Sequence, residues 1–336
     1  MGRLRVLSTA PLRGPALAEL EEIADLVEDP WLAHDPIRLY DAKGLAERIA
    51  AEHADVVICE ADRCAGPVLE LPLVAIGAAR GNPDNVDVAG ATARGIPVLH
   101  APGRNADGVA ELTVGLLLAV TRGIVRADRD VRTNQVFRDG TLPYQRFRAW
   151  GIAGRTAGLV GLGAVGRAVR WRLEGLGMRV IAADPYMPDA THDLDDLARE
   201  ADVVSLHATV TPETVGLFDA DLFARMREGA VFLNTARAAL HDLDALTAAL
   251  RSGHLGAAAL DHFDGERLPP DHPLTDLDNV VLTPHIGGAT YDAETNHTAM
   301  IVDGLVRLVR GERPRNVLNP EVLQGPSGRA GRGIRG

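Results

Sequence analysis

A chain of 336 residues, 46 % hydrophobic and 24 % charged, has room for two domains with a core each and is too apolar to stay disordered. A net charge of −11, with Lys43 the single lysine, speaks against nucleic-acid binding, and since no glycine-rich phosphate loop precedes Lys43 a P-loop nucleotidase is excluded. No apolar run approaches the roughly 20 residues that cross a bilayer, and no hydrophobic segment follows the first arginines, so neither a membrane partner nor a secretory signal is expected and a cytoplasmic location is. Cys59 and Cys64 are too few for a disulfide framework and read as one buried and one surface thiol.

Apolar runs of four to six residues alternate with helical patterns, the rhythm of a parallel sheet wrapped by helices. In chain order, strands are expected at Leu4 to Ser8, Val56 to Cys59, Leu73 to Gly77 and Pro97 to His100. Helices are expected at Ala42 to Glu52 and at Asn85 to Arg94, the latter capped by Asp84. One long helix, Val109 to Thr133, follows and joins this portion to the next. After it come strands at Ala157 to Val160, Met178 to Ala183, Val203 to His207, Val231 to Asn234, Ala257 to Leu260 and Val280 to Leu282. A closing amphipathic stretch, Ala293 to Arg310, is expected to return to the first domain, and a glycine-rich tail to be disordered.

The run Gly161-Leu162-Gly163-Ala164-Val165-Gly166 directly follows an apolar strand and opens a helix. In that setting the first glycine permits a tight turn, the second lets backbone approach a pyrophosphate, and the third lets helix and strand pack closely. The phosphates then sit at a helix N-terminus, where free N–H groups and the helix dipole offset their charge. Asp184 ends the next strand at the distance expected of the acid that binds the adenosine ribose hydroxyls, and no arginine follows to hold a 2′-phosphate, so the cofactor read here is NAD. Ligands of such sheets sit outside the carboxyl ends of the strands, and three later strand ends carry reactive groups: Arg237, Asp261 with Glu266, and His285. His262, His272, Asp261 and Asp271 lack metal-ligand spacing, so no metal is expected.

Together the segments "ARGNPDNVDVAGATARGIPVLHAPGRNADGVAEL", "GLVGLGAVGR", "VFLNTARAAL", "AALDHFDGERLPPDHPL" and "VVLTPHIGG" closely resemble the D-isomer-specific 2-hydroxyacid dehydrogenases, the family that includes phosphoglycerate dehydrogenase. The resemblance implies an α/β protein of two doubly wound Rossmann-like domains with parallel sheets, the cofactor domain inserted in the substrate domain. The substrate domain would comprise residues 1–103 and 292–321, the NAD domain 104–291, and the tail 322–336. It also implies a catalytic arginine at Arg237, glutamate at Glu266 and histidine at His285. Substrate carboxylate would meet Arg237 and the backbone around Arg80, Gly81 and Asn82. The cofactor set would be Gly161, Gly163, Ala164, Val165, Gly166, Asp184, Ala208, Thr235, Ala236, Asp261, Gly287 and Gly288, with Asp261 at the nicotinamide carboxamide. A homodimer is the assembly the family implies.

In the reducing direction, hydride would reach C2 of a 2-oxo acid while Arg237 binds carboxylate and carbonyl oxygen with its planar fork. His285 would deliver the proton, a role for which imidazole is suited by an unperturbed pKa of about 6.5, and Glu266 would orient it. The chain departs from the family pattern at Ala238 and Ala239, where glycines are commoner, and in the substrate loop at Arg80, Asn82 and Pro83. The segment Asn134 to Trp150, rich in arginines and aromatics, would shape an acidic-substrate pocket or an interface. A phosphite dehydrogenase of the same family and an NAD-responsive scaffold without turnover are the alternative readings.

Overall fold

The structure is a computed structural model and describes residues 3–324. Residues 3–104 with 290–324 form one compact unit, and residues 105–289 form a second. Among the described residues no single helix is long and apolar enough to cross a membrane.

The first unit is built on five parallel strands, β1 (Leu4–Ser8), β2 (Ala24–Glu28), β3 (Val56–Cys59), β4 (Ala75–Ala78) and β5 (Val98–His100), in the order β2-β1-β3-β4-β5. Successive side chains of a strand point to opposite faces. Val6 and Ile58 therefore pack on one side with Leu20, Ile301 and Leu305, while Leu7 and Val57 pack on the other with Leu45, Ile49 and Leu69. A strand buried on both faces must be apolar throughout, which is why Val-Val-Ile-Cys is legible as β3 without alternation. The closing helix Tyr291–Val309 supplies Ile301 and Leu305, so the end of the chain covers the first sheet.

Several expectations are corrected in this unit. Helix Ala16–Ile23 and strand β2 were not anticipated, because β2 is a sheet edge with charged residues at Asp25 and Glu28 and only Ala24 fully buried. The helix expected over Asn85 to Arg94 is Val88–Ala93, and its cap is Asp87, whose side chain accepts from the Gly90 N–H at 2.9 Å. Asp84 instead pairs with Arg80. Both cysteines are buried, so neither is a surface thiol. Of the tail expected from residue 322, Val322 is buried in a short turn, Pro320–Leu323, and residues 325–336 lie outside the described residues.

Asp29, just past β2, pins the edge of this sheet. It is nearly buried, which raises its pKa, but hydrogen bonds from Arg48 (2.9 Å), Tyr40 (2.8 Å) and His34 (2.8 Å), with the charge of Arg38, outweigh burial and bring it to about 2 from 3.8. Such a group contributes stability that is complete above the unfolded value and lost as pH falls through about 2, because the unfolded chain takes the proton first. The shift corresponds to about 2 kcal/mol. Asp29→Asn should therefore lower the thermal midpoint at neutral pH by several degrees, with the difference from the parent shrinking in melts taken near pH 2.

The second unit has six parallel strands, β6 (Thr156–Val160), β7 (Arg179–Ala183), β8 (Val203–Leu206), β9 (Ala230–Asn234), β10 (Leu255–Leu260) and β11 (Val280–Leu282), ordered β11-β10-β9-β8-β6-β7. Phe218, Phe223 and Phe232, with ring centroids 5.0–5.6 Å apart, fill one face, and Leu116, Leu117, Leu159, Leu173 and Leu233 fill the other. The expected single helix Val109 to Thr133 is two, Ala106–Thr121 and Ile124–Arg132, bent by 65°. The break falls at Gly123, whose φ of +60° ends the first helix. The segment 134–150 folds on itself around Arg146, which holds the buried Asp130 at 3.0 Å and leaves Phe137, Tyr144 and Trp150 exposed. After β7 the chain crosses to the other side of β6, so β6 and β8 flank the point where strand order reverses, the place where open parallel sheets bind ligands.

Candidate active site

All six strands of the second unit run the same way, so the ends of β6, β8, β9, β10 and β11 share one edge of the sheet. At the end of β6 the chain turns at Gly161 with φ +97°, and a Cβ there would lie 2.8 Å from the backbone of His207 and Ala208, at the end of β8. A Cβ on Gly166 would lie 2.1 Å from the Gly161 carbonyl oxygen, so only glycine lets helix Ala164–Gly175 start where it does. Gly163 is different: nothing of the protein lies within 4 Å of its would-be Cβ. Its lack of a side chain answers to no neighbour in the fold, which is what a backbone approached by a diphosphate requires.

Asp184, at the end of β7, accepts from the Leu162 N–H at 2.8 Å and from the Tyr186 N–H at 2.9 Å, which fixes its carboxylate beside the turn. A glycine cradle, a helix N-terminus and a fixed acid together fit a dinucleotide. His207, which sequence reasoning missed, lies against this turn; its Nε2 meets Ser205 Oγ at 2.9 Å, its buried Nδ1 has no partner among the described residues, and burial lowers its pKa to about 4. Gly163→Ala should leave the thermal midpoint unchanged and weaken NADH binding, whereas Gly166→Ala should lower both; fluorescence titration beside calorimetry separates the two.

At the end of β9, the buried Asn234 shapes the turn that carries Arg237. Its amide donates to the Arg237 carbonyl at 2.8 Å and its Oδ1 accepts from the Ala236 N–H at 2.9 Å. Thr235 is held by Thr113 at 2.8 Å. Arg237 itself is exposed and donates to the Ala236 carbonyl at 2.7 Å, and among the described residues its guanidinium pairs with no carboxylate.

Asp261 and His285 come from neighbouring strand ends. Asp261 is fully buried, and its carboxylate accepts from Thr283 Oγ1 (2.6 Å) and from the N–H groups of Ile286 (2.9 Å) and Gly287 (2.8 Å). Its carbonyl takes the His285 N–H at 2.9 Å. Sequence reasoning named Asp261 for a cofactor contact and missed this role of holding the histidine loop. His285 Nδ1 lies 2.8 Å from Glu266 Oε1. Both residues sit in the left-handed region, His285 at φ +54° and Glu266 at φ +57°. For a residue with a side chain that conformation costs of order 1–3 kcal/mol and persists only where surrounding bonds impose it, as Asp261 does for His285.

His262 underlies the pair, its ring centroid 3.8 Å from that of His285. Burial, and then the charges of His285 and Arg237, lower its pKa to about 4, so it stays neutral near pH 7. The quartet His262, His272, Asp261 and Asp271 is not gathered, since Asp261 holds its own loop and His272 caps the turn at Leu274. Arg80, Gly81 and Asn82 belong to the first unit, at the end of β4. Arg80 pairs with Asp84, and the N–H groups of Gly81 and Asn82 have no acceptor among the described residues.

The sequence profile "D-isomer specific 2-hydroxyacid dehydrogenase, NAD binding domain" matches residues 114–287. The chain is 36 % identical to the glyoxylate reductase of Thermofilum pendens over 338 residues, covering 96 % of this chain and 97 % of that protein. With the D-3-phosphoglycerate dehydrogenase of Methanocaldococcus jannaschii it shares 34 % over 333 residues, 96 % of this chain and 60 % of the longer relative. Among solved structures, the TT0316 protein of Thermus thermophilus superposes with a TM-score of 0.78 at 37 % identity, covering 94 % of this chain and 100 % of that one. The D-lactate dehydrogenase of Escherichia coli does so with 0.73 at 27 %, covering 94 % and 99 %.

Proposed function

Because the chain belongs to the D-isomer-specific 2-hydroxyacid dehydrogenase family and is an NAD-dependent dehydrogenase, we propose that Arg237, Glu266 and His285 interconvert a small D-2-hydroxy acid and its 2-oxo acid. Bound at the glycine turn, the dinucleotide supplies the hydride chemistry at C2. Arg237 offers its fork of N–H groups to the substrate carboxylate and carbonyl oxygen, and steadies the charge that builds on that oxygen. His285 keeps Nδ1–H toward Glu266, which leaves Nε2 to give its proton to the carbonyl oxygen as the hydroxyl forms. In the oxidising direction neutral Nε2 takes that proton back. The N–H groups of Gly81 and Asn82, without an acceptor among the described residues, support a substrate-carboxylate role for their loop.

The observation that carries this reading is the 2.8 Å bond between His285 and Glu266 on a sheet edge that also bears an uncompensated arginine. Similarity to a glyoxylate reductase over nearly the whole chain favours glyoxylate or a 2-oxo acid of similar size as substrate. The exposed Phe137, Tyr144 and Trp150 support a homodimer, and the family resemblance a cytoplasmic setting. The test is NADH oxidation over glyoxylate, hydroxypyruvate, pyruvate and 3-phosphohydroxypyruvate, with NAD reduction by phosphite as the comparison. Turnover of one of the 2-oxo acids is expected; NADH binding with no turnover of any of them overturns the proposal and favours the scaffold reading.

A further inference from the structure

We propose that His262, Glu266 and His285 form a binding site for a divalent ion of the zinc class, and that its occupation stops the dehydrogenase. One ligand atom from each of the three lies within 4.8 Å of the other two. Two imidazoles and a carboxylate suit Zn²⁺, Co²⁺ and Ni²⁺ rather than Mg²⁺ or Ca²⁺, which prefer oxygen throughout. Bonds of about 2.0–2.1 Å set ligand atoms roughly 3.3 Å apart in a tetrahedron. Glu266 and His285, with 60 % and 39 % of their side chains exposed, can close that difference by small torsions while His262 stays fixed.

His262 points to a ligand independently of the other two. It is 5 % exposed, and its ring makes no hydrogen bond among the described residues. Its ligand atom faces the pair that handles the proton. The exposed side of the cluster leaves a fourth coordination position to water, as in metal sites built from three protein ligands. An ion held there occupies the imidazole and the carboxylate at once, so His285 can neither give nor take a proton. Inhibition rests on the function proposed above; binding does not.

The experiment is a titration of the full chain with Co²⁺, read by the visible bands of tetrahedral cobalt, with Zn²⁺ as competitor. One Co²⁺ per chain is expected, with affinity reduced at least about tenfold in His262→Val, a loss that even an outer partner of a metal ligand can cause. Glu266→Gln, on an exposed side chain where folding is not at stake, should weaken the bands as well. In the enzyme assay Zn²⁺ should inhibit, EDTA should restore the rate, and His262→Val should need at least about ten times more Zn²⁺. Absence of the bands, or cobalt bound equally well by both variants, overturns the site. Bands without turnover of any 2-oxo acid leave the metal site standing and remove the proposed function; turnover indifferent to Zn²⁺ leaves the function standing and overturns the inhibition.

Discussion

Arg237→Ala should lower kcat for the best 2-oxo acid by about 10²–10³-fold, the scale on which one donor to a developing oxyanion acts, and raise KM as well. Arg237 is exposed at the end of β9 and has no carboxylate partner among the described residues, whereas Arg48, Arg104 and Arg146 all hold carboxylates of their own unit. An unpaired guanidinium on a turn braced by Asn234 is available to an anion from outside. Arg237→Lys should recover part of the KM effect through its charge but little of kcat, since an ammonium lacks the planar fork that grips carboxylate and carbonyl together. NADH affinity, measured by fluorescence, should stay near the parent value in both. A parent-like kcat in Arg237→Ala would remove this residue from the chemistry.

His285→Ala should cost roughly 10²–10⁴ in kcat, the usual contribution of a positioned acid or base. Glu266→Gln keeps a hydrogen-bond acceptor for Nδ1–H but loses the charge, and should fall in between, about 10–100-fold down, as expected for a group acting through the residue it orients. The double variant should be little worse than His285→Ala alone, because Glu266 has nothing left to orient. Steady-state rates on the four proteins settle this. An additive double variant would mean that Glu266 acts on substrate by another route.

How much of this was legible depends on how far each feature reaches along the chain. The glycine turn and Asp184 announce themselves because their requirements are local: a strand, three glycines, a helix and the end of the next strand. Arg237, Glu266 and His285 are readable at strand ends, and the family resemblance gives them roles. The edge strand β2 escapes because half of it faces water and carries charge, which leaves no apolar run to see. The break in helix Val109 to Thr133 rests on Gly123 alone, and a single glycine inside an apolar pattern is tolerated as often as it terminates. Asp87 rather than Asp84 is the cap because the helix starts at Val88, so Asp87 alone stands at its N-cap position. Least legible is His262 against His285, 23 positions apart in sequence and brought together only because β10 and β11 are neighbours in register.

The left-handed backbone at Glu266 and His285 has a consequence for any attempt to rework this chemistry. The main chain, not the packing of the side chains, decides where carboxylate and imidazole stand, and it does so in a form that glycine enters freely, asparagine with little resistance and a β-branched residue hardly at all. Grafting the pair onto another scaffold would therefore mean carrying over the two loops and the aspartate that clasps the histidine loop, since a transplanted histidine on an ordinary turn would aim elsewhere.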